Sequence, residues 1–196
     1  NNTTAIGTVA IGHTALTALT SGTQNTAVGY QALTANLVGD HNTAVGYTAL
    51  FSCVGGDEEQ ANVAVGREAG YGLTSGRFNV CIGNKTMQTL GNSSNLGNTA
   101  VGHSAMKSAG TAANNDAQYN VAVGYLALTS ITDGDNNVAI GKGAGDAIAD
   151  SASNVLIGSN AGGALTDGSN YNVMIGDSAG ATDTANLQHC ILAGRN

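Results

Sequence analysis

One phrase recurs along this chain at an almost constant spacing, and it constrains the fold more than any other feature. Asn is followed by Thr or Val, then a small or apolar residue, then Val or Ile, then Gly, usually with Ala three residues further on. It reads Asn25-Thr26-Ala27-Val28-Gly29, and again from Asn42, Asn62, Asn79, Asn98, Asn120, Asn137, Asn154 and Asn172, with degenerate copies at 8–12 and 189–193. Its last position falls at 12, 29, 46, 66, 83, 102, 124, 141, 158, 176 and 193, so the commonest interval is 17 and none is shorter. The extra residues therefore read as insertions in one loop per coil. A fixed period just under 20 residues marks a solenoid, whose repeats cannot bury their apolar faces until neighbours stack on them.

Glycine inside every copy and short runs of β-branched residues disfavour helix and favour strand. A 17-residue coil accommodates two strands of about five residues and two turns. The first strand is the phrase itself and the second is centred on pairs such as Ala32-Leu33 and Ala144-Gly145, with turns from stretches such as 132–136. The expected fold is all-β: a parallel β-solenoid, or β-roll, of about eleven coils of 17–22 residues in one domain spanning 1–196. Ten steps of about 4.8 Å give a rod on the order of 48 Å long.

Side chains alternate along a strand. The position before the glycine is Val, Ile or Leu (Val28, Val65, Ile140, Leu192 among them), which assigns it to the coil interior. The middle position then faces outward, yet it reads Ala27, Ala44, Ala64, Cys81, Ala100, Ala122, Ala139, Leu156, Met174 and Ile191. A strand apolar on both faces is buried on both. The expected partner is another copy of the same sheet, which makes the chain a homotrimer with those ten residues at its interface; the alternative is that a different part of the same chain covers the sheet. The recurrent Asn is assigned a structural role, hydrogen-bonding up the stack and satisfying turn backbone. The glycine is assigned positive φ or close approach of the next strand.

Composition fits this picture and excludes several functions. The chain holds 29 glycines, no proline, no tryptophan and 8 aromatic residues, so small side chains must be buried in many thin layers. A net charge of −7 with six scattered cations cannot build a nucleic-acid footprint. No run reaches the roughly 18 apolar residues of a membrane helix, and residues 1–7 do not read as a signal peptide. A chain that begins with Asn, and keeps its apolar pattern through Cys190, Ile191 and Leu192, reads as part of a longer polypeptide.

Catalytic, cofactor and metal sites are not expected. Cys53, Cys81 and Cys190 are odd in number and widely spaced, with no C-x-x-C, and Cys53 falls in an insertion. His13, His41, His103 and His189 lie in different coils without triad or metal-ligand spacing. Asp57, Glu58 and Glu59 form the only acidic run and read as a solvated loop. Glycan acceptor patterns at Asn84 and Asn92 carry no further weight. The apolar-Gly step occurs once per coil, where hexapeptide acyltransferase solenoids need three, and calcium-binding nonapeptides are absent. An ice-binding ladder is disfavoured because the Thr of Thr26, Thr43 and Thr99 is expected to point inward.

The stretch Asn25 to Leu33, echoed at 42–50 and 120–128, resembles repeats of bacteriophage tail fibres. Asn137-Val138-Ala139-Ile140-Gly141 is similar to the head repeats of trimeric autotransporter adhesins, though the period here is longer and no stalk or membrane anchor is recognisable. The resemblance implies a homotrimer of parallel β-rolls, on a virion or otherwise extracellular, engaged in attachment to cells. It favours a structural, non-enzymatic tail-fibre segment, with an adhesin head as the alternative. A cell-surface glycan or protein is then the expected partner besides the chain itself. Contact is assigned to the insertions 51–60 and 107–119, with Phe51 and Tyr119, and to Tyr30, Tyr47, Arg67, His103 and Tyr125 after the glycine, although Tyr30 and Tyr47 could equally stack on each other.

Overall fold

The computed structural model describes residues 6–56, 59–91, 96–108, 115–182 and 186–195. Eleven three-residue strands form one sheet in sequence order, every neighbouring pair parallel. They are β1 (Val9–Ile11), β2 (Thr26–Val28), β3 (Thr43–Val45), β4 (Val63–Val65), β5 (Val80–Ile82), β6 (Thr99–Val101), β7 (Val121–Val123), β8 (Val138–Ile140), β9 (Val155–Ile157), β10 (Val173–Ile175) and β11 (Ile191–Ala193). The protein is an all-β solenoid of about ten turns, and no helix occurs among the described residues.

The register corrects the last repeat. Val173 pairs with Ile191 and Met174 with Leu192, so the closing glycine is Gly194 and the final interval is 18. Cys190 occupies the Asn place and donates its N–H to Asn172 Oδ1 at 3.0 Å.

The two faces of each strand are the reverse of the expectation. Ala27, Ala44, Ala64, Cys81, Ala100, Ala122, Ala139, Leu156 and Met174 are fully buried within a single chain, so the middle position fills the coil interior. None of them is available to a second copy. Ile191, the tenth expected interface residue, is by register an outer position and is exposed. The Val and Ile on either side of the middle position face outward, as do Thr26, Thr43 and Thr99. Size accounts for the inversion. The coil is narrow, and the middle side chain meets the opposite turn at close range, so it must be small unless that turn makes room.

The expected second strand is also absent. After each glycine the chain turns through residues of positive φ, such as Gln31 (54°), Leu33 (50°), Thr48 (50°) and Leu50 (49°), which no strand tolerates. A non-glycine residue in this region costs on the order of 1 kcal/mol. Here the bent backbone sends hydrogen bonds both ways along the rod: Gln31 N–H donates back to His13 O at 2.9 Å, and Leu33 N–H donates forward to Ala49 O at 3.0 Å. The buried Leu33, Leu50, Met87, Met106 and Leu128 project inward from this turn, beside a continuous column of small residues that includes Ala32, Ala49, Ala69, Ala105 and Ala127.

Two columns hold the coils in register. Each repeated Asn is buried, and its Oδ1 accepts the N–H of the next Asn, as from Asn42 to Asn25 at 2.9 Å. Its amide donates across the coil to a turn carbonyl, as from Asn25 to Gly39 at 2.7 Å and from Asn137 to Ser151 at 2.7 Å. At the 51–60 insertion the Gln60 side chain takes that carbonyl's place, accepting from the Asn42 amide at 3.0 Å. The glycine column is equally strict. A Cβ on Gly29 (φ 137°) would sit 2.3 Å from Gly46 O, far inside van der Waals contact, so no side chain fits there.

Candidate functional site

With the strand faces assigned, two features stand out on the surface of the rod: the apolar outer face of the sheet, and rows of polar and aromatic residues in the turns that follow it. The two outward rows of the sheet, from Val9 and Ile11 to Val173 and Ile175, are almost entirely β-branched and half-buried or exposed, with Ile82 39%, Ile140 40% and Ile175 44% accessible. An apolar stripe along eleven strands, broken in one row by Thr26, Thr43 and Thr99, is larger than an isolated rod in water usually exposes. The outward Thr26, Thr43 and Thr99 remove the orientational argument against an ice-binding ladder, but the other positions of the stripe are Val, Ile and Ala, which offer water no regular hydroxyl array.

Just beyond the strands the residue after each glycine forms a ladder. His13 stacks on Tyr30 at 5.4 Å, Tyr30 on Tyr47 at 5.2 Å, and the Arg67 guanidinium lies 6.0 Å from the Tyr47 ring. His103 and Tyr125 continue the row at 5.4 Å. Tyr30 and Tyr47 thus do stack on each other while keeping an exposed edge. Tyr119 belongs to a different row, the positive-φ residue before the Asn, together with Phe78, Tyr171 and His189. Tyr171 and His189 stack there at 5.0 Å.

Phe51 is not a loop residue. It stands five positions after Gly46 and stacks on Tyr71, five after Gly66, at 5.1 Å and 3°. Between this row and the ladder lies a cleft of about 360 Å³ lined by Gln31, Tyr47, Thr48, Phe51, Glu68, Tyr71 and Gln88. Tyr47 forms one wall and Phe51 with Tyr71 the other. Thr48 and Glu68, two positions after their glycines, lie between the walls and supply polar groups. The Glu68 carboxylate is largely buried, paired with Arg67 and accepting from Gln88 Nε2. Thr48 Oγ1 is buried and has no hydrogen-bond partner. Of the residues assigned from the sequence, Tyr47 and Phe51 line this cleft and Arg67 pairs with Glu68 beside it, while Tyr71, Glu68, Thr48, Gln31 and Gln88 are not among those assigned. Aligning coils on their glycines would have placed Phe51, Tyr71 and Gln88 in one column.

Cys53 likewise leaves the loop expected of it and is buried in the interior, donating to Gln60 Oε1 at 3.1 Å. Burial pushes its thiol up to about 12, and burial raises Cys81 as well, so both are inert packing groups. Of the acidic run only Glu59 is described, 3.3 Å from His41 Nδ1; Asp57 and Glu58 lie outside the described residues, as do Asn92 and 109–114 of the second insertion. Among the described residues no three His, Cys, Asp or Glu side chains are grouped to hold a metal ion. No described helix is long and apolar enough to cross a membrane.

An aspartate row runs along another edge. Asp116, Asp133, Asp150 and Asp167 recur every 17 residues, with Asp116 N–H donating to Asp133 Oδ1 at 3.1 Å. Beside them, partial burial raises the Asp135 carboxyl, the Gln118 N–H opposes that rise, and the charges of Asp116 and Asp133 add to it.

No family model matches this chain, and neither a curated protein nor a solved structure matches it.

Proposed function

We propose that this chain is a structural and adhesive segment of an extracellular fibre, a homotrimer of β-rolls of the kind its repeats resemble in phage tail fibres, without catalytic activity. The observation that carries the reading is the apolar stripe of the sheet. A free rod would leave in water one row of Val and Ile and a second broken only by Thr26, Thr43 and Thr99, and self-association through that face covers them. The interface therefore moves from the middle strand residues to their neighbours, from Val28 and Val45 to Ile157 and Ile175. Association through the sheet leaves the ladder and cleft on the outside, where attachment residues belong. An adhesin head remains the alternative, since the phrase 137–141 is similar to its repeats.

Light scattering tests the assembly. The folded protein is expected at three times its chain mass of 19.3 kDa, and a folded species of one chain mass overturns the reading. Val123→Asp, on the outer face, is expected to break the trimer with the β-solenoid circular-dichroism signal retained. Ala122→Asp, one residue away but inside the coil, is expected to abolish folding, since an unpaired buried carboxylate costs several kcal/mol, of order 3 or more.

A further inference from the structure

We infer that the cleft between Tyr47 and the Phe51–Tyr71 pair is a binding site for a neutral saccharide. This rests on the attachment reading and gives it a ligand class. The chemistry of the lining selects among ligands. Within the cleft are two amide side chains, Gln31 and Gln88, a hydroxyl, Thr48, and a carboxylate, Glu68. Such a set offers donors and acceptors to a polyol at several points at once and offers no apolar pocket to an aliphatic side chain or lipid tail. The nearest cation, Arg67, is paired with Glu68, so a phosphate, sulfate or carboxylate would meet a neutralised charge and a facing anion.

Glu68 is prepared as an acceptor. Arg67 and Gln88 from adjacent coils fix its carboxylate, so little ordering remains to be done when a sugar hydroxyl arrives. Thr48 is the second pointer. A buried hydroxyl without a partner is costly in a folded protein; Thr48 lines the cleft with its hydroxyl shielded from solvent and unpartnered, a cost that a ligand oxygen reaching it would remove. The aromatic rings stack along the rod and so present edges and phenol hydroxyls to the cleft more than open faces. They act as walls that exclude water around the polar lining. A volume of about 360 Å³ is at the low end of small-molecule sites, roughly 300–1,000 Å³, and suits one or two pyranose units of a longer chain.

The test uses the whole protein on a microarray of neutral oligosaccharides with matched sialylated and sulfated sets, alongside adhesion to host cells. Wild-type protein is expected to bind neutral glycans. Thr48→Val, which removes only the hydroxyl, and Tyr71→Ser are each expected to reduce that binding at least tenfold with the oligomer mass unchanged, while Lys142→Ser retains it. Should either cleft variant misfold, Glu68→Gln, which preserves shape and removes the charge, serves in its place. Binding only to acidic glycans, or neutral binding indifferent to these substitutions, overturns the site. Cell adhesion separates the two proposals: adhesion that survives loss of glycan binding leaves the attachment reading standing and refutes the cleft as its means. Glycan binding that depends on the cleft, in a protein that does not adhere to cells, establishes the site and refutes attachment.

Discussion

The N-terminal and C-terminal coils solve one packing problem in opposite ways. From β2 to β7 the middle of the strand is Ala or Cys, and the turn opposite supplies the bulk through Leu33, Leu50, Met87, Met106 and Leu128, except at Gly70. In β9 and β10 the middle is Leu156 or Met174, and the turn withdraws to glycine. A Cβ on Gly145 would lie 2.7 Å from Leu156, one on Gly162 2.8 Å, and one on Gly180 2.3 Å from the Met174 sulfur. At Gly70 the strand residue of the same coil, Ala64, is small as well, and the space is taken up from neighbouring coils, since a Cβ there would be 2.8 Å from the Leu50 side chain and 3.5 Å from Cys81 Sγ. What is conserved is interior volume along the rod, provided by either wall of a coil or, where both walls are small as at Ala64 with Gly70 and Ala139 with Gly145, by a side chain of a neighbouring coil.

That comparison can be broken from either end. Leu156→Ala is expected to have the largest effect, about 2–5 kcal/mol by urea denaturation at fixed chain concentration, because Gly145 and Gly162 have no side chain with which to fill the cavity. Ala44→Leu in the other region is expected to cost about 1–3 kcal/mol by overpacking against Leu33 and Leu50. Adding Leu33→Gly and Leu50→Gly reproduces the surroundings of Leu156 and is expected to restore at least half of the loss; no recovery would show that the two regions differ by more than volume.

The smallest effect concerns charge on the C-terminal side. Because Asp135 has its folded-state carboxyl raised, the protonated form is the one the fold prefers. Stability from this residue is greatest below the ordinary aspartate range and falls as pH rises through the raised value. Asp135→Asn keeps an acceptor for the Gln118 N–H and is expected to raise the melting temperature slightly at pH 7 and not at pH 3. Equal shifts at both pH values would place the effect in packing instead.

The period, the parallel order of the strands and the Asn stack are legible in the sequence because each depends on one residue recurring at one spacing. Which way the strand faces is not. Three residues such as Thr26-Ala27-Val28 present two apolar sets, and taking the larger, branched ones as interior reverses the coil. The exchange between Ala27 with Leu33 and Leu156 with Gly162 carries the missing information, but it becomes readable only when strand and turn are compared within a coil. The false second strand has a similar origin. Ala32-Leu33 looks extended until it is set beside Ala144-Gly145, where glycine occupies the same positive-φ site. The cleft was only partly visible because it draws on several coils, from Gln31 to Gln88, so no short stretch contains it.

The glycine column also governs how a protein of this kind can change its length. A backbone that stacks at 2.3 Å from an imagined Cβ accepts no half-steps, since losing part of a coil would put a side chain where only hydrogen fits. Intervals of 19, 20 and 22 residues show that extra residues enter through the connecting loops without disturbing the stack. Gene duplication can thus act only in whole coils. Each tandem copy of a segment such as 137–153 would lengthen the rod by one rung of about 4.8 Å, moving the surfaces on either side apart unaltered, much as a section is added to a telescoping mast.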